Sequence, residues 1–394
     1  MIGPKGTYII AENTAIDTLN NDFDDENIDK SMWEKIEHLK SFPQYEQKSK
    51  EWLIQRRHRI GGSESAACLG LNHYEPQYRF IRKKISYEPF KTTKIIWWGN
   101  ATEDVARELY EYLYNVQVEE YGSLPSETYD FIAASPDGIV GKYKRNGKNL
   151  TKLCGRMVEI KSVSTRKLNM DPLDTIITDI VPEYYITQVY QQLETCNLDE
   201  CDFFQIKAHQ YSGYNEYAND FQDDGKFRGM IIQLRPNDYN GASDDNLDNC
   251  KFIHMPKIDM SFKEQNKWYN SVKKDYLKYL KNKENNIQQS LKIYENYNIN
   301  KVLYYRIDQA RCTLVKRNHN LFLSYIPTYK KIWNYVLFLR EHKDKADKFI
   351  DFINKNEIRN KWGFIQKMNE TNTKIMNYLD TLINEPENFT CIIQ

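Results

Sequence analysis

The sequence predicts an α/β protein, with a core of mixed β-sheet flanked by helices and a mostly helical C-terminal region. Two observations carry this. Before residue 260, short apolar or alternating runs at 131–134, 157–162, 201–208 and 229–235 interleave with segments whose apolar residues recur at helical spacing. From Ser261 onward the helical period dominates: Trp268, Val272, Tyr276 and Tyr279 share one segment and Phe349, Phe352 and Ile353 another. The chain thus divides into an N-terminal segment 1–48, partly mobile with a short helix, a core 49–260 and a basic helical region 261–394. At 394 residues it is long enough to bury a sizeable core.

Seven scattered cysteines lack any Cys-x-x-Cys pair or zinc-type spacing, which points to reduced thiols in an intracellular, soluble protein. No stretch holds eighteen consecutive apolar residues and the first residues lack a basic start and apolar run, so neither a membrane span nor a secretory signal is expected. The 55 basic and 55 acidic residues balance, but unevenly along the chain. Residues 261–394 hold 24 Lys and Arg against 14 Asp and Glu, which suits either a nucleic-acid surface or lysine-rich solvated helices.

In order, the acidic patch 22–29 reads as a mobile start. Trp33, Ile36 and Leu39 then mark a short helix. Between Trp52 and Ala67, a basic turn with Arg56, Arg57 and Arg59 runs into Gly61-Gly62-Ser63. Arg56 offers a planar fork of donors for a phosphate, and Ser63 is placed to cap a following helix whose N-terminal N–H groups add dipoles of the right sign. An amphipathic helix follows, with Val105, Ala106, Leu109 and Leu113 on its apolar face and Glu103 in its early turns.

The central stretch runs from Tyr129 to Ser162. Ser135, Pro136, Asp137 and Gly138 interrupt an apolar strand and leave the Asp137 carboxylate at a strand end. After a polar hairpin, Glu159 and Lys161 stand two apart, on one side of their strand, with Val158 and Ile160 on the other. Two carboxylates beside an ammonium suit Mg²⁺, a hard cation that prefers oxygen ligands, together with a charge to offset a phosphoryl group. Taken singly, a Pro-Asp-Gly turn is ordinary punctuation and Glu-x-Lys an ordinary solvated face.

A helix starting near Pro182 places Tyr185, Val189 and Leu193 on its apolar stripe and Gln188 one turn from Gln192. Further strands are expected at 201–208, 229–235 and 251–255. In the C-terminal region Pro327 is expected to separate two helices.

In this order and spacing the motifs resemble the phage-type alkaline exonucleases, the lambda exonuclease and YqaJ viral recombinase family of the PD-(D/E)xK nuclease superfamily. They are Trp52, Arg56 and Ser63; Trp98-Gly99 with Glu103; Ser135 to Gly138; Glu159-Ile160-Lys161; and Tyr185 with Gln188. The resemblance covers roughly residues 50–210 and implies a restriction-endonuclease-like core. It makes Asp137 and Glu159 metal ligands, Lys161 the active-site lysine, Glu103 a residue near a second metal, Gln188 a supporting polar group, and Arg56 and Ser63 the holders of a 5′-phosphate. The implied activity is a Mg²⁺-dependent 5′→3′ exonuclease on double-stranded DNA ends, with Mn²⁺ able to substitute, acting in recombination or end processing. A structure-selective endonuclease using the same metal site and a DNA-binding protein with an inactive site are the alternatives. The family implies a ring-shaped homo-oligomer and a single-strand annealing protein as partner, in the cytoplasm of the cell or of a virus's host. The N-terminal segment and the extension after 260 have no counterpart in the compact phage enzyme.

Overall fold

The computed structural model describes residues 7–9, 30–45, 49–86, 92–171, 177–220, 226–237, 247–284 and 292–385; the acidic patch 22–29 lies outside them. The elements run β1 (Thr7–Ile9), α1 (Lys30–Ser41), α2 (Lys50–Arg57), β2 (Ile60–Gly61), a 3₁₀ turn (Gly62–Glu64), α3 (Ser65–Leu69), α4 (Gln77–Ile85) and the long α5 (Lys94–Tyr114). Next come β3 (Val116–Glu119), β4 (Leu124–Pro125), β5 (Ile132–Ala134), β6 (Gly138–Lys144), β7 (Met157–Ser162), α6 (Ile177–Ile180), α7 (Glu183–Cys196) and β8 (Glu200–Gln210). The chain continues through α8 (Tyr214–Asn219), β9 (Arg228–Pro236), β10 (Lys251–His254), α9 (Phe262–Glu284), β11 (Tyr297–Lys316), α10 (His319–Glu341), α11 (Lys343–Asn356) and α12 (Met368–Asn384).

The main sheet has the order β10-β9-β11-β8-β7-β6-β3, with β1 paired to residues 309–311 of β11. β7 and β8 are parallel neighbours, and parallel neighbours need a crossover; α6 and α7 supply it. Period-two alternation then sorts β7 onto two faces. Val158 and Ile160 pack with Trp97, Val105 and Leu109 of α5, while Met157 packs with Val189 and Leu193 of α7. The result is a sheet sandwiched between helices, as the sequence predicts. Both covering helices stop abruptly, at Asn115 and Asn197, whose φ of 50° is the left-handed conformation that asparagine tolerates.

Asp137 stands at a strand end as expected, and the polar hairpin after it joins β6 to antiparallel β7; the interruption is also a change of sheet. β5 belongs to a second, three-stranded sheet with β2 and β4, so Ser135 to Asp137 carries the chain from one sheet to the other. Gly138, opposite Val158, opens β6 against β3; a Cβ there would overlap the Val118 side chain, so the crossing requires glycine.

The C-terminal region is mostly helical but is not an appendage. Its β11 spans twenty residues, pairing with β9 over 297–306 and with β8 over 305–316. The expected division at 260 therefore runs through one sheet. The strand signal is present, since Leu303, Tyr305 and Ile307 are buried at every second position, but the lysine and asparagines at 298–301 obscure it. Pro327 does not separate two helices either: it lies inside α10. Ile326, Tyr329, Trp333 and Val336 carry that helix's apolar face through the proline onto Ile60, Ala67, Tyr78 and Phe80, and this burial outweighs one lost backbone bond. Among the described residues no helix is long and apolar enough to cross a membrane.

A chain ending at residue 260 is expected to lose cooperative folding, because it leaves β8 and β9 without the strand between them. Thermal unfolding followed by circular dichroism tests this; a sharp transition in the truncated chain would show that the core stands alone.

Candidate active site

The site grows from one carboxylate. Glu159 is fully buried on β7, where an isolated charge is costly unless hydrogen-bonded and paired. Three donors meet it. Gln188 Nε2 donates to Oε1 at 2.6 Å, Gln192 Nε2 to Oε2 at 2.9 Å, and the Lys161 ammonium pairs with Oε1. The glutamines reach it because they sit one turn apart on α7. Lys161 reaches it from two residues along the same strand and also lies 5.0 Å over the Tyr185 ring.

Asp137 stands at the entrance of β6, beside the same strand. Its Oδ2 accepts from the Ile160 backbone N–H at 2.7 Å. On α5, Glu103 lies one residue from Thr102, whose hydroxyl donates to Ser162 at the end of β7 at 2.6 Å. It occupies the third turn of α5 rather than the early turns expected. The neighbouring Asp104 is engaged elsewhere, 2.6 Å from Arg107 and 3.0 Å from His254 Nδ1. Glu103, Asp104 and Asp137 line a cavity of about 500 Å³ together with Asn100, Tyr121 and Phe252.

The carboxylates repel one another. Burial, then the charge of Glu159, pushes Asp137 well above the usual carboxylate range. Burial also raises Glu103, with Asp104 and Glu159 adding to it against the pull of Lys161. For Lys161, burial opposes the charged form, but Glu159 and Asp137 outweigh it and hold the ammonium above its ordinary value. Asp104 is lowered: burial is overcome by His254 and Arg107. Among the described residues no three acidic, histidine or cysteine side chains converge closely enough to cage a metal unaided.

Arg56, in the last turn of α2, and Ser63, in the 3₁₀ turn, lie side by side. Arg56 Nη2 donates to Ser63 Oγ at 3.3 Å, and its guanidinium lies 4.7 Å from the Trp52 ring centroid. Ser63 is not a helix cap as expected. It falls within the 3₁₀ turn, and Glu64 precedes α3 instead, its carboxylate taking the Gly61 N–H at 2.9 Å. Beneath the turn, buried Lys84 donates to Glu64 at 2.7 Å and to the Arg56 and Arg59 carbonyls at 2.7 and 2.8 Å. Burial would raise Glu64, but Lys84 and Arg56 hold it below the usual range. The turn rests directly on α7, because a Cβ at Gly62 would come within 3.0 Å of Gln192 and 3.5 Å of Gln188.

The structure therefore brings Asp137, Glu159, Lys161 and Gln188 together, with Glu103 at the cavity and Arg56 and Ser63 one layer away. Sequence reasoning leaves out Gln192, a donor to Glu159, and Gln191, which donates to the Ile60 and Ala133 carbonyls at 2.9 Å and so joins β2 to β5. The four-residue spacing of Gln188 and Gln192 was the available signal. Lys84 and Arg340, whose guanidinium donates to the Arg57 and Lys84 carbonyls at 2.6 and 2.8 Å, carry no motif at all.

The family model of the YqaJ-like viral recombinase domain matches residues 51–199, which hold every one of these site residues except Arg340. Residues 51–199 are therefore similar to the YqaJ-like viral recombinase domain. An uncharacterized protein of Acanthamoeba polyphaga mimivirus is 35% identical over 347 residues, covering 85% of this chain and 60% of its own length. The YqaJ protein of Bacillus subtilis, also uncharacterized, is 25% identical over 146 residues, covering 36% of this chain and 41% of its own. The chain thus spans less than two thirds of either relative. Among solved structures, an alkaline exonuclease from Laribacter hongkongensis superposes with a TM-score of 0.39 at 16% identity, covering 76% of this chain and 99% of that one.

Two stability measurements check the YqaJ-like site. A carboxyl whose folded pKa is raised stabilises the fold below its unfolded pKa, and that contribution is lost as pH rises through the folded value. In chelator, Asp137→Asn is therefore expected to raise the thermal midpoint at neutral pH and to flatten the loss of stability above the usual carboxylate range; an unchanged midpoint would contradict the repulsion. Gln192→Leu removes a donor from a buried charged acceptor and should cost about 1–3 kcal/mol in urea unfolding.

Proposed function

We propose that the YqaJ-like domain is a metal-dependent deoxyribonuclease that degrades one strand of duplex DNA 5′→3′ from 5′-phosphorylated ends. One observation carries the reading: the 3₁₀ turn bearing Ser63, to which Arg56 at the end of α2 donates, packs on the same two glutamines that hold Glu159, so the candidate phosphate ligands lie beside the carboxylate–lysine cluster.

The donor set fits a divalent cation. Asp137, Glu159 and Glu103 offer hard oxygens, and burial first, with neighbouring carboxylates after it, raises the proton affinity of Asp137 and Glu103, a cost that a bound cation would offset. Glu159 accepts three hydrogen bonds where a carboxylate has about four lone-pair sites, which leaves capacity on Oε2. Beside it, Gln192 Oε1 is buried without a hydrogen-bond partner among the described residues, an acceptor suited to a hydrated ion. Asp137 and Glu159 would hold Mg²⁺ or Mn²⁺, with Glu103 on its hydration shell. A bound ion supplies Lewis-acid stabilisation of charge on the phosphoryl group.

The chain's own residues do the rest. Gln188 and Gln192 fix the Glu159 carboxylate, so no reorganisation is needed when charge develops. The Lys161 ammonium adds a point charge where negative charge grows on the scissile phosphate. Arg56, braced on Trp52, presents its fork to the terminal phosphate, whose greater charge than an internal diester favours charge-assisted bonds. The field at this turn is positive: the His58 imidazole is lowered by burial and then by Arg340, Arg59, Arg57 and Lys84.

Purified protein with linear 5′-phosphorylated, linear 5′-hydroxyl and closed circular duplex, with and without Mg²⁺, tests the reading. Asp137→Ala and Lys161→Ala should each slow hydrolysis by about a thousandfold or more. Arg56→Ala should erase most of the preference for phosphorylated over hydroxyl ends. Cleavage of closed circles as fast as of phosphorylated linear DNA would replace the exonuclease reading with an endonuclease one.

A further inference from the structure

We propose that Tyr74, His73 and Tyr184 form a stacking platform for an unpaired nucleobase of the DNA strand lying at Lys161, an inference that rests on the nuclease reading above. Tyr184, Gln188 and Gln192 follow one another at intervals of four on α7, so the face that holds Glu159 continues outward to Tyr184. Next to it, Tyr185 carries the Lys161 ammonium over its ring, and the centroids of Tyr184 and Tyr185 are 4.3 Å apart. His73 and Tyr74 meet Tyr184 at 5.2 and 6.0 Å, each nearly perpendicular to it, and lie 4.9 Å from each other. A continuous series of rings thus runs from the lysine of the carboxylate cluster to solvent.

Its outer end is exposed where an apolar ring has no structural reason to be. Tyr74 is 63% exposed, although its backbone is held: the Tyr74 N–H donates to Asn72 Oδ1 at 2.8 Å, and neighbouring Glu75 is tied to Lys83 at 2.6 Å. A large ring fixed on a turn and open to water suits a flat π-system, the one chemical feature every base shares. Arg166 lies close enough to Tyr184 to lower its phenol against the upward push of burial and of Tyr185. A cation beside clustered rings is the pairing that single-stranded nucleic acid requires, a charge for the backbone and a face for the base. A phosphate engaged by Lys161 would carry its base toward these rings, so the platform would hold the end of the strand open during hydrolysis.

The test uses full-length protein in EDTA, so that nothing is hydrolysed, and a 5′-phosphorylated duplex with a short unpaired 5′ overhang carrying 2-aminopurine. Binding to wild-type protein should quench the 2-aminopurine, and affinity should exceed that for an abasic overhang by about five-fold or more. Tyr74→Ala should abolish the quenching and bring the base-to-abasic ratio to about one, while Tyr74→Phe keeps both. Thermal melts of the variants confirm folding, and His73→Ala, expected to weaken the quenching partly, provides a second reading. An unchanged ratio in Tyr74→Ala, or a wild-type protein blind to the missing base, overturns the platform. Mg²⁺-dependent hydrolysis of the same DNA reports separately on the nuclease reading, since stacking in EDTA does not depend on it.

Discussion

The buried charge of Glu159 is the constraint on which the rest of the site depends. A carboxylate with no solvent exposure must find donors inside the fold, and the crossover between parallel β7 and β8 lays α7 across the strand face that bears it. Once α7 is there, its polar positions are committed. Gln188 and Gln192 saturate most of Glu159, Gln191 pins β2 to β5, and the turn packs so closely on Gln192 that a Cβ at position 62 would lie 3.0 Å from its side chain. A single buried group thereby constrains the polar positions of α7 and, through Gln192, the approach of the Gly62–Glu64 turn.

On either side of the α7 glutamines the electrostatics have opposite sign. Towards Asp137 and Glu103, burial and then the neighbouring carboxylates raise both acids in spite of Lys161. Towards Glu64, cations outnumber the acid: Lys84 and Arg56 depress Glu64, and the same basic surroundings depress His58. A fold selected for stability alone would cancel such an imbalance, for instance by pairing each acid locally. Its persistence on both sides of the α7 glutamines is the pattern of a site that trades stability for function, with one side suited to a cation and the other to an anion.

What the sequence discloses follows from how local each signal is. Asp137 is legible because turn chemistry strands it at a strand end, and Glu159 with Lys161 because period two fixes their shared side within three residues. The glutamines are half-legible. Their spacing gives one helix face, but which face turns inward depends on the crossing angle of α7 on the sheet, which no window of sequence contains. Lys84 and Arg340 are not legible, since each acts through backbone carbonyls remote in sequence. β11 and Pro327 mislead for the same reason: pairing with β8 and β9 makes a strand of a polar stretch, and a buried apolar face carries a helix through a proline.

The family match ends at residue 199, and β8, the strand that flanks β7, begins at residue 200. The matched segment thus contains the site residues but not the strand that completes the sheet beneath them. β8 in turn is held by β11 from beyond residue 296, and Arg317 at the end of β11 returns to α7 through paired bonds of 2.7 and 2.6 Å to Glu194. On the opposite side, α10 reaches the end of α2 through Arg340, which donates to the Arg57 carbonyl, and α3 through Tyr329, whose hydroxyl meets Ser65. The mimivirus relative matches across 85% of the chain, where the bacterial one matches 36%. The longer match agrees with what the contacts require: the C-terminal region is the part of the fold that closes the sheet and braces α7, α2 and α3.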